Sequence, residues 1–191
     1  MQQMEEKILK EGQVLPGGIL KVGSFLNQQI DTVFLSEIGE EIARLFDGEG
    51  VTKILTIESS GIAIAIAAGA HMHVPVLFAK KHRTSNVSGV LYQTLVHSYT
   101  HGTDYTVVVE REFLKDSDRV LIVDDFLANG AAVEGLCDLI RQAGATTVGA
   151  AIAIEKGFQE GGKKLRDAGM RVESLAIVDQ MDENGIRFRQ A

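Results

Sequence analysis

The chain has 191 residues and a formal net charge of -7, a length that suits one large domain. Its acidic balance argues against bulk electrostatic attraction to nucleic acid, so any anion site must be local, made of backbone N–H groups and a few cations. Cys137 is the single cysteine, which excludes an internal disulfide and leads us to expect a reducing, cytoplasmic setting.

The opening MQQMEEKILKEG is charged and has no apolar stretch of the kind a signal peptide carries. Residues 11–30 carry short mixed strand patterns. Val33, Phe34, Ile38, Ile42, Leu45 and Phe46 recur at helical spacing over residues 31–46, and Asp31 is placed to cap that helix. KILTI (53–57) reads as a buried strand, ESSG as a turn, and residues 61–70 as an alanine-rich helix. That helix falls short of a membrane span, because His71 and His73 follow at once.

VPVLFA (74–79) predicts another strand, whereas residues 80–104 are long and polar and are expected to be an irregular lid or binding loop. VLIVDD (120–125) and VGAAIAIE (148–155) are further buried strands. Between them Val133, Leu136, Cys137 and Ile140 mark one helix face, and Gly144 is a natural stop. Near-continuous apolar strands alternating with helices predict an α/β fold: a doubly wound, mostly parallel twisted sheet covered on both faces. We expect one domain over residues 1–191, with a core at about 31–155, a small hood from residues 11–30 and 154–191, and a flexible loop at about 80–104.

Ligands of such sheets bind beyond the carboxyl ends of the strands. In VLIVDDFLANGAAVEG (120–135) an apolar strand ends in Asp124 and Asp125, and the small-residue turn Ala128-Asn129-Gly130-Ala131-Ala132 opens a helix. Small side chains let backbone N–H groups close on a phosphate, which the helix dipole also favours. Carboxylates at the strand end can accept hydrogen bonds from a diol or hold Mg²⁺ through its water. The combination suits a sugar phosphate. Its competitor is a strand end with solvated aspartates and an incidental glycine turn.

The strand, the Asp-Asp pair and the glycine turn resemble the phosphoribosyl pyrophosphate (PRPP) signature of the type I phosphoribosyltransferases. LKVGSFLNQQID, TIESSGIA, FAKKH, DDFLANGAA and IEKGFQ occur in the order seen in the xanthine phosphoribosyltransferases of that family. The resemblance implies that Asp124 and Asp125 face the ribose hydroxyls and that residues 128–132 hold the 5-phosphate. It makes Glu58, Ser59, Ser60 and Gly61 the pyrophosphate loop. It also implies purine salvage: xanthine and PRPP would give xanthosine 5'-monophosphate and pyrophosphate, in a homodimer. Ile64 departs from it, since proline is expected there in close relatives, but the side chain should face the helix packing.

For the base, Lys156 could donate to a purine 6-oxo group, and Phe158 or Phe126 could stack on the ring. The resemblance adds Leu20 and Asn27. Lys80, Lys81 and Arg83 could reach the pyrophosphate of their own or a neighbouring subunit, although a solvated charge run is their ordinary role. No metal cage is evident, His71 and His73 lacking a third ligand, so Mg²⁺ is expected to arrive on PRPP. Cys137 reads as core. Two alternatives stay open: a regulator that senses PRPP without catalysis, and the same chemistry on guanine, hypoxanthine or adenine. Lys156 argues against adenine, whose 6-amino group is itself a donor.

Overall fold

A computed structural model describes residues 1–81, 89–98, 103–182 and 185–189. The chain opens with helix α1 (Gln2–Glu11), held down by Met4 and Ile8, one turn apart and both fully buried. Strands β1 (Gln13–Leu15) and β2 (Ile19–Lys21) pair as a small antiparallel ribbon, followed by a short π-helical turn over Gly23–Asn27. Helix α2 (Thr32–Leu45) starts where expected: the Asp31 carboxylate accepts from the Phe34 N–H at 3.1 Å.

Strand β3 (Lys53–Ile57), helix α3 (Gly61–Met72) and strand β4 (Val76–Ala79) follow. The two helices pack backbone to backbone at Gly39, where a Cβ would come within 2.5 Å of the Ala67 carbonyl carbon. Then come β5 (Leu91–Ser98), β6 (Thr103–Glu110) and β7 (Arg119–Leu127). Helix α4 (Ala131–Ala143) ends on Gly144 at φ 74°, the stop read from the sequence. The chain closes with β8 (Thr146–Lys156), α5 (Gly161–Asp167), β9 (Val172–Asp182) and β10 (Gly185–Phe188).

The main sheet has the order β10-β9-β8-β7-β3-β4, parallel throughout except for the β10–β9 pair. Along β7, Leu121 and Val123 join one core with α1, α2 and α3, while Val120 and Ile122 join the other with α4. This is the doubly wound arrangement that the buried strands predicted.

Two expectations change. The stretch 80–104 is only in part irregular: Leu91–Ser98 and Thr103–Glu110 pair in register as an antiparallel hairpin, and residues 82–88 and 99–102 lie outside the described residues. Tyr105, Val107 and Val109 of TDYTVVVE supply the face of the hairpin that packs on the core, and Val108 on the other face is buried too. The tail, expected as hood from residue 154 onward, does more than cap. Its β9 and β10 extend the sheet itself, β9 running parallel to β8 and β10 antiparallel to β9. Only Val172, Leu175, Ala176 and Val178 of this strand are buried, without a regular period, so VESLAIVDQ gave no clear strand pattern. Among the described residues no helix is long and apolar enough to cross a membrane.

Candidate active site

Strands β3 and β7 are neighbours, but the chain leaves β3 toward β4 on one side and leaves β7 toward β8 on the other. That reversal opens a crevice beyond their carboxyl ends. The two turns singled out in the sequence stand there side by side, ESSG after β3 and DDFLANG after β7.

At the β7 turn the backbone is held tightly. Gly130 caps α4 at φ 88°, a left-handed conformation that favours glycine. Gly161, at the start of α5, packs against the turn and donates its N–H to the Ala128 carbonyl at 3.1 Å. No side chain caps α4, so its first N–H groups face outward with the positive end of the helix dipole. A cavity of about 160 Å³ lies over them, lined by residues 126–133 and, across from the turn, by Val96, His97 and Tyr105 of the hairpin. His97 and Tyr105 carried no signal in the sequence, because they reach the turn only through the pairing of β5 with β6.

The two adjacent carboxylates have different surroundings. Asp124 is 5% exposed, and its Oδ1 accepts from the Asp125 N–H at 2.9 Å. Burial and the charge of Asp125 push its carboxyl well above the usual range, with Lys81 pulling the other way. Asp125 is less buried, and its Oδ2 accepts from the Asn27 side-chain amide at 3.2 Å. Burial, and then the charge of Asp124, also raise the Tyr105 phenol. The Lys81 ammonium lies 5.5 Å from the Tyr105 ring centroid.

The ESSG turn touches this pair. A Cβ on Gly61 would lie 2.2 Å from Thr56 Oγ1 and 2.9 Å from Asp124 Oδ1, so only glycine lets the start of α3 close on the carboxylate. Thr56 Oγ1 is buried without a hydrogen-bond partner. The Glu58 Oε1 accepts from the Lys81 N–H at 2.6 Å, tying the pyrophosphate-loop candidate to the second residue after β4. The peptide between Glu58 and Ser59 is cis. Ser60 precedes α3 without capping it.

On the base side, Lys156 closes β8 half-buried, with Nζ donating to the Gly18 carbonyl at 3.2 Å and lying 6.0 Å from the Phe126 ring centroid. Burial lowers its pKa. Phe158 is 43% exposed, and its Cε2 lies 3.9 Å from where a Gly18 Cβ would be. Thus the Gly17-Gly18 bend of the hood meets both Lys156 and Phe158. Leu20 differs: its side chain is buried in the core beneath the hood. Asn27 reaches Asp125, a contact between hood and sugar side that the sequence did not suggest.

The remaining candidates separate from this group. Lys80 pairs through its backbone with Val108, and Arg83 lies outside the described residues. His71 and His73 are exposed at the end of α3, His71 bonding Ser36 at 3.2 Å. Among the described residues no group of three or more His, Cys, Asp or Glu is placed to hold a metal ion. Ile64 is fully buried in the helix packing. Cys137 packs against the second core, and burial pushes its thiol up to about 11.

A family model described as a phosphoribosyl transferase domain matches residues 28–184. Xanthine phosphoribosyltransferase 1 of Clostridium perfringens is 54% identical over 190 residues, covering 99% of this chain and 100% of its own. The xanthine phosphoribosyltransferase of Oceanobacillus iheyensis is 50% identical over 190 residues, covering 100% of this chain and 98% of its own. Among solved structures, an adenine phosphoribosyltransferase from Trypanosoma brucei in complex with AMP, pyrophosphate and ribose-5-phosphate matches with a TM-score of 0.78 at 17% identity, over 95% of this chain and 82% of that one. The adenine phosphoribosyltransferase of Rhodothermus marinus matches at 0.75 and 22% identity, over 93% and 100%. Likeness at that level of identity speaks for the shared fold alone.

Proposed function

The chain belongs to the phosphoribosyltransferase family, and on that premise we propose that it joins xanthine to the ribose 5-phosphate of PRPP, giving xanthosine 5'-monophosphate and pyrophosphate. The observation that carries the choice of base is the full-length identity to xanthine phosphoribosyltransferases. Lys156 agrees with it, as a donor to the 6-oxo group whose ammonium also favours a base that ionises readily.

In this reading N9 of the purine displaces pyrophosphate at C1, through an oxocarbenium-like state, with inversion. The turn at 128–132 holds the 5-phosphate through backbone N–H groups, and Asp124 and Asp125 accept from the ribose hydroxyls. Glu58, Ser59, Ser60, Gly61 and Lys81 lie toward the pyrophosphate. Lys156, Phe158, Asn27 and the backbone near Leu20 orient the base. The protein's work is to bring two reactants into line and keep water out. Paired carboxylates at the strand end supply oxygen donors that suit Mg²⁺ carried on PRPP, and the bound ion would stabilise the charge of the leaving pyrophosphate.

We further propose a cytoplasmic homodimer. Exposed Ile30, Val33, Ile66, Phe78 and Phe113 supply apolar surface for a second copy. Light scattering that returned a monomer mass would remove this part of the reading. The base is tested by kcat/KM for xanthine, guanine, hypoxanthine and adenine at saturating PRPP and Mg²⁺. Xanthine should lead clearly, because a base without the 2-oxo acceptor leaves a pocket donor unpaired. Guanine or hypoxanthine turning over as well as xanthine would defeat the assignment.

A further inference from the structure

Behind the phosphate turn lies a buried ionic group that the reaction does not use. Glu155 is 2% exposed, and its carboxylate accepts three hydrogen bonds. Arg166 binds it bidentately, at 2.8 and 2.7 Å, and Ser174 Oγ donates at 2.5 Å. Burial works against its charge, yet these bonds hold its carboxyl below the usual range. Arg166 also donates to the Val172 carbonyl at 3.2 Å, so one side chain ties α5 to β8 and to the start of β9.

Two glycines couple this group to the turn. A Cβ on Gly162 would lie 2.0 Å from Glu155 Oε1. A Cβ on Gly161 would lie 2.3 Å from the Ala128 carbonyl oxygen and 2.6 Å from the Gly130 nitrogen. The first turn of α5 is therefore wedged between the ion pair on one side and the phosphate turn on the other. Glu155 is also the cross-strand neighbour of Leu127, the last residue before that turn, and the chain neighbour of Lys156. Arg166 is one-third exposed, but a pair with one buried member still contributes little net stability compared with an apolar replacement, and its best-attested use is to fix geometry.

We propose that Glu155, Arg166, Gly161 and Gly162 form a bracket that sets the position of the phosphate turn relative to Lys156, with Arg166 a positioning residue for the 5-phosphate of PRPP. The inference rests on the functional reading above. It assigns no contact between Arg166 and substrate: Arg166 acts through α5, and α5 acts through its packing on residues 128–130.

The test uses ribose 5-phosphate as probe, titrated calorimetrically without base. Gly161→Ala should weaken its binding and raise KM for PRPP by roughly 10- to 100-fold, as a turn displaced by about 1 Å implies, while KM for xanthine changes little. Arg166→Met should weaken ribose 5-phosphate binding as well, and Arg166→Lys should recover part of the loss. A purely structural Arg166 would instead lower Tm in Arg166→Met and leave the affinity of the folded fraction as in the wild type, which would overturn the bracket. So would a folded Gly161→Ala with unchanged affinity. Xanthine turnover by the wild type reports separately on the functional reading. Ribose 5-phosphate binding that depends on Gly161, in a chain that rejects xanthine, would sink the base and keep the bracket.

Discussion

The two ends of the candidate site are built from different materials. The phosphate end is backbone: a glycine at φ 88°, a second glycine packed against it, and the uncapped start of α4. The base end is side chains, each held by a single hydrogen bond, Lys156 to the Gly18 carbonyl and Asn27 to Asp125. Backbone donors in a wedged turn are already in place when the ligand arrives and lose little entropy on binding. Lysine and asparagine at the hood must exchange a protein partner for a ligand. The comparison predicts a stiff phosphate end whose faults appear as lost PRPP affinity, and an adaptable base end whose faults appear as altered base choice.

Between the two ends stand the carboxylates, and the largest effect is expected there. Asp124→Asn and Asp125→Asn should each lower turnover by about 10²- to 10³-fold, the range for removing one preorganised electrostatic partner of a transition state. Both variants should fold, since Asn matches Asp closely in size and keeps an acceptor for the Asp125 N–H. Steady-state rates in variants with native circular dichroism check this. Wild-type rates in both would detach the pair from the site.

The contrast between ends is sharpened by Lys156→Met. Losing a charge-assisted hydrogen bond worth about 1.5–3 kcal/mol should raise KM for xanthine roughly 10- to 100-fold. KM for PRPP should stay near the wild-type value. Equal rises in both constants would mean that the two ends are not separable, and would break the comparison with which we began.

The same contrast explains what the sequence could reveal. The β7 turn was legible because its job needs residue types in a fixed local order: apolar strand, two carboxylates, small residues, helix. The order of the parallel strands followed from buried runs separated by helices. The base end was only half legible. Lys156 stands at the end of a strand and announces itself, but Asn27 meets Asp125 across 98 positions of sequence, and no local pattern encodes that. Leu20 entered the base group by resemblance; its side chain lies in the core, so only its backbone is left to face a base. The hairpin residues His97 and Tyr105 were hidden because polarity near residues 80–104 masked the alternation farther along. Helix α1 was overlooked for a similar reason: Met4 and Ile8 are too few apolar residues to show against a charged background.

Asn27→Ala tests that long-range contact. A hydrogen bond from a neutral amide to a carboxylate, long and half-exposed, is worth about 1 kcal/mol, or roughly fivefold. Because the amide touches Asp125, the change should appear in KM for both substrates, unlike that of Lys156→Met. A change confined to xanthine would make Asn27 a base contact alone and its bond to Asp125 incidental.

The smallest expected effect concerns stability, and it separates Asp124 from the rest of the acidic groups. Its carboxyl is pushed up in the folded chain by burial and by the charge of Asp125. In the unfolded chain it titrates near the ordinary value of about 3.9. Below that value both states hold the proton, and the group has no influence on the equilibrium. As pH rises through the interval between the unfolded and the raised folded value, the unfolded chain releases its proton more readily, so folding loses stability. Above the interval the full penalty remains. Asp124→Asn has no such penalty, and should melt higher than the wild type at neutral pH, by about 2–4 °C for each kcal/mol recovered. The gain should vanish in acid. Glu155, whose carboxyl is held low by Arg166 and Ser174 despite its burial, makes both proteins less stable as pH falls, but that contribution is common to the pair and cancels in the difference. Thermal melts of the two proteins at acid and neutral pH therefore read Asp124 alone. A variant that loses turnover and gains Tm at neutral pH would show that this carboxylate is kept for its chemistry at a cost to the fold, whereas a variant no more stable than the wild type would mean that the strand end accommodates the charge after all.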